Sequence, residues 1–334
     1  YKFINWPDEY HSWWGIKLLP EVIEEDEGYR NYICGENGIL KKWLRCGIAG
    51  YRLDVADELP DIFLDDLRKS VKSENENAII IGEVWEDATN KFAYGQRRKY
   101  LLGEELDSVM NYPFADAILN FVRYANGNAF FNAVLSIIEN YPPQVLNVLM
   151  NHIGTHDTER AITRLAGENP DAHDRAWQFE HNTLSEFDYL KGISMMKIAS
   201  LIQFTLPGVP SIYYGDEIGM QGMKDPFNRA CMPWNKPNEE LLKWYKRLGQ
   251  IRHSSKAFID GDFEKLYCDG GVIAYSRSSE GDNILVAINN SNEQKRIFVG
   301  TQWDNSYSLF DEKSVDGFVN LPPYRYTLLS KKEY

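Results

Sequence analysis

Positive charge is scarce in this chain. Against 49 Asp and Glu stand 36 Lys and Arg, for a formal net charge of −13, and no lysine- or arginine-rich run occurs. A surface of that sign repels phosphate backbones and anionic lipid, so partners of both kinds, nucleic acid and membrane, are disfavoured. No apolar stretch approaches the ~20 residues that span a bilayer. Cysteine is sparse: Cys34, Cys46, Cys231 and Cys268 are far apart and form no C-x-x-C pair. Metal-site spacing and a dense disulfide framework are therefore both absent, and reduced thiols in a cytoplasmic enzyme are the expectation. Internal repeats, low-complexity segments and a signal-peptide pattern are missing too. The chain opens on Tyr1 rather than methionine, which points to an original N-terminus further upstream.

What is present is ordinary for a globular protein in bulk, with 43% hydrophobic and 25% charged residues among 334. Aromatics run higher, with 20 Tyr, 16 Phe and 9 Trp. Flat aromatic surfaces suit the stacking of sugar rings, and they suit any large core equally well.

Apolar strands alternate with helices along the first three-quarters of the chain. Residues 48–55 read as a strand, followed by Pro60 in a first helical turn and a helix with Phe63, Leu67 and Val71 on one face. Residues 78–84 form a short apolar strand of the kind buried on both faces. Further strands are expected at 107–114, with helix after Asp116, at 145–153 and at 211–215. A long helix carries Met195, Ile198, Leu201 and Ile202, is broken at Pro207-Gly208, and another covers 238–252. Such alternation predicts a parallel sheet with crossover helices, either a closed βα barrel or an open doubly wound sheet. Charged residues recur just past strand ends: Asp54, Glu83, Asp157 and Asp216-Glu217. Ligand-binding groups sit at that end of the strands in both architectures. From about residue 258 the texture becomes short β-rich runs between Gly-Gly, Asn-Asn-Ser and Pro-Pro turns, which reads as an antiparallel sandwich.

Three segments carry the chemistry. In GYRLDVADE (50–58), Arg52 and Asp54 lie two apart on a strand and point to one face, so the guanidinium can hold the carboxylate ready as a nucleophile. In GEVWED (82–87), Glu83 ends an apolar strand, a place suited to a general acid. In GTHDTER (154–160), His156, Asp157 and Arg160 follow another strand. Each has a structural alternative: an Arg–Asp pair, a capping glutamate, an Asp157 or Thr158 helix cap. Two carboxylates flanking one glycosidic bond are the requirement for glycoside hydrolysis.

Together these segments resemble glycoside hydrolase family 13, the α-amylase family. VMNYPFADAIL (109–119), LPGVPSIYYGDEIGM (206–220) and DPFNRACMPW (225–234) extend the likeness, which runs from about Trp13 to the C-terminal sandwich. The resemblance implies a (β/α)8 TIM barrel, here strands 4–8 only, over residues 1–257, and a C-terminal antiparallel β-sandwich over 258–334. It implies Asp54 as nucleophile, Glu83 as acid/base and Asp157 as transition-state stabiliser, with Arg52 and His156 in support. Glu58 after V-A-D, Gly-Thr-His-Asp and the MNYPF strand are similar to the neopullulanase, cyclomaltodextrinase and maltogenic amylase branch. There Asp225, Arg229 and Arg160 would contact glucose units and Trp85 would stack on the leaving-group side.

The activity so implied is retaining hydrolysis of α-1,4 or α-1,6 glucosidic bonds in cyclodextrins, pullulan or maltooligosaccharides. It needs no cofactor; the family admits calcium, whose usual ligands would lie partly upstream of this chain. No Asp-x-x-x-Asn-His precedes Asp54, so the front of the barrel is expected on a longer parent, on a separate partner chain, or completed in a homo-oligomer, and this chain alone is expected to be weakly active or inactive. The competing expectation is a noncatalytic carbohydrate-binding or assembly subunit on a truncated barrel; an isomerase or phosphorylase of the same superfamily is a third.

Overall fold

A computed structural model describes residues 1–310 and 314–331; residues 311–313 and 332–334 of the expected sandwich lie outside the described residues. The chain divides into two compact units, Tyr1–Met110 and Asn111–Tyr334.

The first unit is built on three parallel strands: β1 (Gly50–Leu53), β2 (Ile79–Gly82) and β3 (Ser108–Val109), in that order. Gly50 is opposite Ile79 in register, at φ +153. A Cβ there would stand 2.0 Å from the Ile79 carbonyl oxygen, so only glycine lets the two strands close. Helix α1 (Asp61–Glu74) buries Phe63, Leu64, Leu67 and Val71. Pro60 is its N-cap, one position before the first turn, because its extended ψ of 146° ends the preceding segment. Arg68 and Lys72 of α1 each donate at 2.8 Å to Asp107, which also accepts the Ile80 amide at 2.8 Å. Burial alone would raise this carboxyl, and the Lys72 and Arg68 hydrogen bonds outweigh it and hold it below its usual range. Residues before β1, for which the sequence pattern predicted no element, form a hairpin (Phe3–Asn5 with Glu9–Tyr10) and two short helices, Glu27–Cys34 and Ile39–Arg45.

The second unit opens with α2 (Tyr112–Tyr124), so the predicted strand 107–114 stops at Val109. The reason is local: Asn111 caps the helix by accepting from the Phe114 amide, and Pro113 occupies its first turn. The predicted strand 145–153 is likewise only β4 (Met150–Asn151), since Pro142-Pro143 starts a helical turn over Pro143–Leu146. Its parallel partner is β5 (Val209–Pro210). The ladder ends one residue later, where Ser211 donates to the Asn151 carbonyl, so Ile212–Gly215 are not strand. Between them runs α3 (Glu186–Thr205), capped by Ser185 and ended at Leu206 by Pro207. Helix α4 (Glu239–Ser254) follows and buries Leu241, Tyr245, Leu248 and Ile251. No helix among the described residues is long and apolar enough to cross a membrane.

The rest of this unit is two antiparallel sheets. One orders β6 (Asp262–Asp269), β7 (Val272–Ser279) and β8 (Asp282–Asn289) against the C-terminal strand Arg325–Ser330, then Ser306–Ser308 and Ser314–Val315; the other pairs Lys295–Phe298 with Phe318–Leu321. Val272, Ala274, Leu285, Ile297, Trp303 and Val319 are among the residues that fill the core they share. The sandwich also supplies helix caps. Buried Arg277 of β7 donates to the Thr205 carbonyl at 3.0 Å, and Asn290 donates to the Phe121 and Val122 carbonyls at 2.9 and 3.0 Å. These are last-turn carbonyls of α3 and α2, and that of Phe121 also accepts from the C-cap amide of Ala125 at 2.8 Å.

Asn111 does two jobs, since its amide also donates to buried Asn151 at 2.9 Å, and Asn151 in turn donates to the Pro207 carbonyl at 2.7 Å. Asn111→Ala removes a cap (about 1 kcal/mol) and orphans a buried acceptor (about 1–3 kcal/mol). Urea unfolding should show a loss of about 2–4 kcal/mol, with Asn111→Asp, which keeps the cap, falling between; a loss under about 0.5 kcal/mol would rule the network out as a support.

Candidate active-site residues

In the first unit the β1–β2 ladder extends past the strand ends, with Glu83 N–H donating to Leu53 O at 3.0 Å and Ala56 N–H to Glu83 O at 3.2 Å. Arg52 and Asp54 share a face, as the two-residue spacing requires, and the Arg52 guanidinium binds the Asp54 carboxylate directly. Its second terminal nitrogen lies 3.1 Å from Glu83 Oε2, as an ion pair without hydrogen-bond alignment. Its Nε donates to Met110 Sδ at 3.4 Å. One cation thus holds both carboxylates, and Asp54 is open to solvent while Glu83 is 6% exposed.

Glu83 has two further donors: the Val55 amide on Oε2 at 2.8 Å and the Trp85 indole on Oε1 at 3.0 Å. Val55 achieves this at φ 42, ψ 57. A β-branched residue in the left-handed region is strained by roughly 1–2 kcal/mol, and the turn it makes aims its N–H at Glu83. Trp85 keeps about half its surface exposed beside Glu83. Glu58 closes the turn Ala56–Glu58 and accepts from the Trp14 indole at 3.3 Å.

In the second unit, Asp157 lies 3.2 Å from His156 Nε2 and 3.7 Å from Arg229 Nη2. Arg229 Nε also donates to the His156 carbonyl at 3.1 Å and pairs with Asp225 at 3.4 Å, so Asp225 and Arg229 do pair with each other at the edge of this loop. Asn228, fully buried, donates to the carbonyls of His156 (2.7 Å) and Thr158 (2.6 Å) and fixes the loop backbone. The sequence reading overlooked Asn228, Met110 and the Val55 amide. Asn228 lay within the flagged DPFNRA run, but a backbone N–H and a thioether leave no signal in a motif.

Arg160 lies inside the fold. It is 0% exposed, donates to the Tyr214 carbonyl and lies 4.1 Å and 4.4 Å over the Tyr213 and Tyr214 rings. A guanidinium enclosed by two aromatic faces is held inside the fold. Asp216 is its buried counter-charge, 3.6 Å from Nη1 and too far for a hydrogen bond. Gly154 leaves room for it, since a Cβ there would meet Asp216 Oδ2 at 2.6 Å. Burial pushes the Asp216 carboxyl up to about 7, against the pull of Arg160.

Among the described residues no group of three or more His, Cys, Asp or Glu is gathered to hold a metal.

The raised Asp216 value has a stability consequence with a definite sign. A carboxyl whose folded value exceeds its unfolded one favours the fold when protonated, so its contribution is complete below about pH 4 and is lost as pH rises to about 7. Asp216→Asn stays neutral throughout. The wild-type melting temperature minus that of Asp216→Asn should therefore fall between pH 5 and pH 8; a difference independent of pH would contradict the assignment.

Comparison with known proteins agrees with these features. The α-amylase catalytic-domain model matches residues 2–240, and the α-amylase C-terminal domain model matches residues 261–308. A cyclomaltodextrinase of Thermoanaerobacter pseudethanolicus is 34% identical over 286 residues, covering 84% of this chain and 44% of that protein. Neopullulanase 2 of Thermoactinomyces vulgaris is 30% identical, covering 85% of this chain and 43% of its own length. The chain thus spans less than half the length of these curated relatives. A solved cyclomaltodextrinase superposes with a TM-score of 0.79 at 30% identity, over 96% of this chain and 52% of that one. Parallel strands with crossover helices, followed by an antiparallel sandwich, are the partial TIM barrel and C-terminal domain of that fold, and the chain belongs to the α-amylase family, glycoside hydrolase family 13, in the branch of cyclomaltodextrinases and neopullulanases.

Proposed function

We propose that this chain supplies the catalytic carboxylates of a retaining α-glucan hydrolase acting on cyclodextrins, pullulan or maltooligosaccharides. The observation that carries the reading is Arg52, which binds Asp54 and reaches Glu83 with the same guanidinium. A nucleophile must be ionised and open to the anomeric carbon, and Asp54 is the exposed, cation-paired member. The acid/base partner must be fixed in orientation, and Glu83 is the buried member with donors on both oxygens.

In this reading Asp54 attacks the anomeric carbon while Glu83 protonates the leaving glycosidic oxygen, forming a glycosyl-enzyme ester. Glu83, now a carboxylate, takes a proton from water, which opens the ester with net retention. Asp157 binds sugar hydroxyls alongside His156, with Arg229 holding its other oxygen and Asp225 steadying Arg229. Trp85 would stack on a glucose unit on the leaving-group side, and Glu58 would bind substrate. Enzymes of this family need no organic cofactor, and the metal-free carboxylate chemistry above invokes none. The two-domain organisation, barrel over 1–257 and sandwich over 258–334, belongs to the same proposal and is supported by separate family models on either side of that boundary.

The test is turnover of β-cyclodextrin and maltotriose by the whole chain, with the product anomer followed by NMR. Asp54→Asn and Glu83→Gln should each lower kcat on the order of 10³-fold or more, and the first product should be the α-anomer. Unchanged turnover in Asp54→Asn, or a β-anomer, would sink the mechanism. Glucan binding without turnover, both in this chain and in a longer chain that supplies the front of the barrel, would favour a noncatalytic assembly subunit.

A further inference from the structure

Val55 directly follows Asp54 and stands in the left-handed region, the conformation that aims its N–H at Glu83. A β-branched residue does not rest there unaided, so contacts beyond the strand end must hold the turn. On the near side β1 does so through its register with β2. On the far side the turn is gripped by residues of the 91–100 stretch, which follows Glu83 and Trp85 in the chain.

Asp57, two residues past Val55, is bound at both carboxylate oxygens. The Tyr100 hydroxyl donates to Oδ1 at 2.7 Å, and Lys91 Nζ lies 3.0 Å from Oδ2. Arg98 takes the backbone of the same turn, donating to the carbonyls of Asp57, at 3.4 Å, and of Leu59. It also pairs with Asp61 in the first turn of α1 at 3.2 Å. The Arg98 guanidinium lies 4.8 Å over the Tyr100 ring, so the two holds brace each other. Tyr100 is fully buried. Burial, and then Asp57, push its hydroxyl far above the usual phenol range, so it keeps its proton and Asp57 stays the acceptor.

Packing alone does not call for this network. Phenylalanine at 100 and an apolar residue at 57 would fill the space without taking a hydroxyl and a carboxylate out of water, and such exchanges are often neutral or stabilising. What the polar version adds is a single arrangement, because donor and acceptor atoms meet only at fixed places. We infer that Tyr100, with Lys91 and Arg98, is a positioning residue of the active site: by holding Asp57 it fixes the Val55 turn, and through the Val55 amide the orientation of Glu83. Its catalytic consequence rests on the hydrolase reading above, and its hold on the turn rests on the geometry alone. No member of this clamp has to touch substrate.

The test compares Tyr100→Phe, which removes only the hydroxyl, with Asp57→Ala and Asp57→Asn in the whole chain carrying isotope-labelled valine. Amide exchange at Val55, followed by NMR, should quicken about fivefold or more in Tyr100→Phe and Asp57→Ala, the factor that one hydrogen bond is worth. Exchange at Val71 of α1 should stay within about twofold, and Asp57→Asn, which keeps an acceptor for Tyr100, should stay within about twofold at both valines. Turnover of β-cyclodextrin is measured on this chain and on a longer chain that supplies the front of the barrel. Where cleavage depends on Asp54, Tyr100→Phe should lower kcat about tenfold and leave KM within about twofold, because the sugar binds as before and only the acid/base is misaligned. Val55 exchange unchanged in Tyr100→Phe, or equal acceleration at Val55 and Val71, overturns the clamp. So does a raised KM with kcat intact, which would make the network a sugar contact. Asp54-dependent turnover that Tyr100→Phe leaves untouched overturns it as well. Faster Val55 exchange in chains that show no Asp54-dependent cleavage would leave the hold on the turn standing and remove the hydrolase reading.

Discussion

The Arg52 guanidinium is the point on which the first unit's chemistry turns. Two carboxylates at the ends of adjacent parallel strands repel each other, and the Arg52 guanidinium is the cation they share. Arginine suits the task because its planar fork addresses two acceptors at fixed angles while its Nε is spent elsewhere, here on Met110. Its position follows from register. Arg52 lies opposite Ile81, and Leu53 opposite Gly82, so the residues next beyond the strands, Asp54 and Glu83, emerge beside each other. That register is in turn held by Gly50 against Ile79 and by Asp107, which fastens α1 to the Ile80 amide through Arg68 and Lys72.

The second unit holds its carboxylate by a different device. Asp157 stands on a loop with no strand of its own, and the loop is fixed from behind by Asn228 on two carbonyls and by Arg229 on a third contact. The helices around it are closed by groups from the sandwich: Arg277 and Asn290 take up carbonyls that a helix end leaves unpaired, and Arg252 of α4 does the same for the Phe204 carbonyl at 2.7 Å. Burial lowers Arg277, which is fully enclosed, and Arg252, which is partly so, to about 10, and both donate to backbone oxygens. The sandwich is therefore structural support for the α/β part of its own unit, whatever else it binds.

How much of this could be read from the residues depended on where the information lay. The parallel strands at 50–53 and 79–82, the helix with Phe63, Leu67 and Val71 inward, and the sandwich after 258 all followed from periodicity, which burial enforces. Boundaries failed where a single local signal outweighed an apolar run. Asn111 with Pro113 started a helix inside a predicted strand, and Pro142-Pro143 did so again. In SIYYG the apolar pattern misled on both burial and pairing: Ile212 and Tyr214 are exposed, and the Tyr213 and Tyr214 rings lie against a buried guanidinium instead of joining the sheet. The same geometry explains Arg160. A charged residue in a catalytic-looking motif reads as a ligand contact, and only the folded structure reveals that its charge is enclosed and faces Asp216.

Backbone strain offers a signal of another kind, one that composition and motifs do not carry. In the first unit two side-chain-bearing residues in the left-handed region, Trp14 and Val55, each donate to a nearby carboxylate, Glu58 and Glu83 respectively. Strain persists only where surrounding contacts over-determine it, and here those contacts are hydrogen bonds to Glu58 and Glu83. A fold selected for stability alone would place glycine or asparagine at such positions. Retaining valine and tryptophan there trades stability for donors at defined places, and the trade is made beside the residues with the strongest chemical case for handling a sugar.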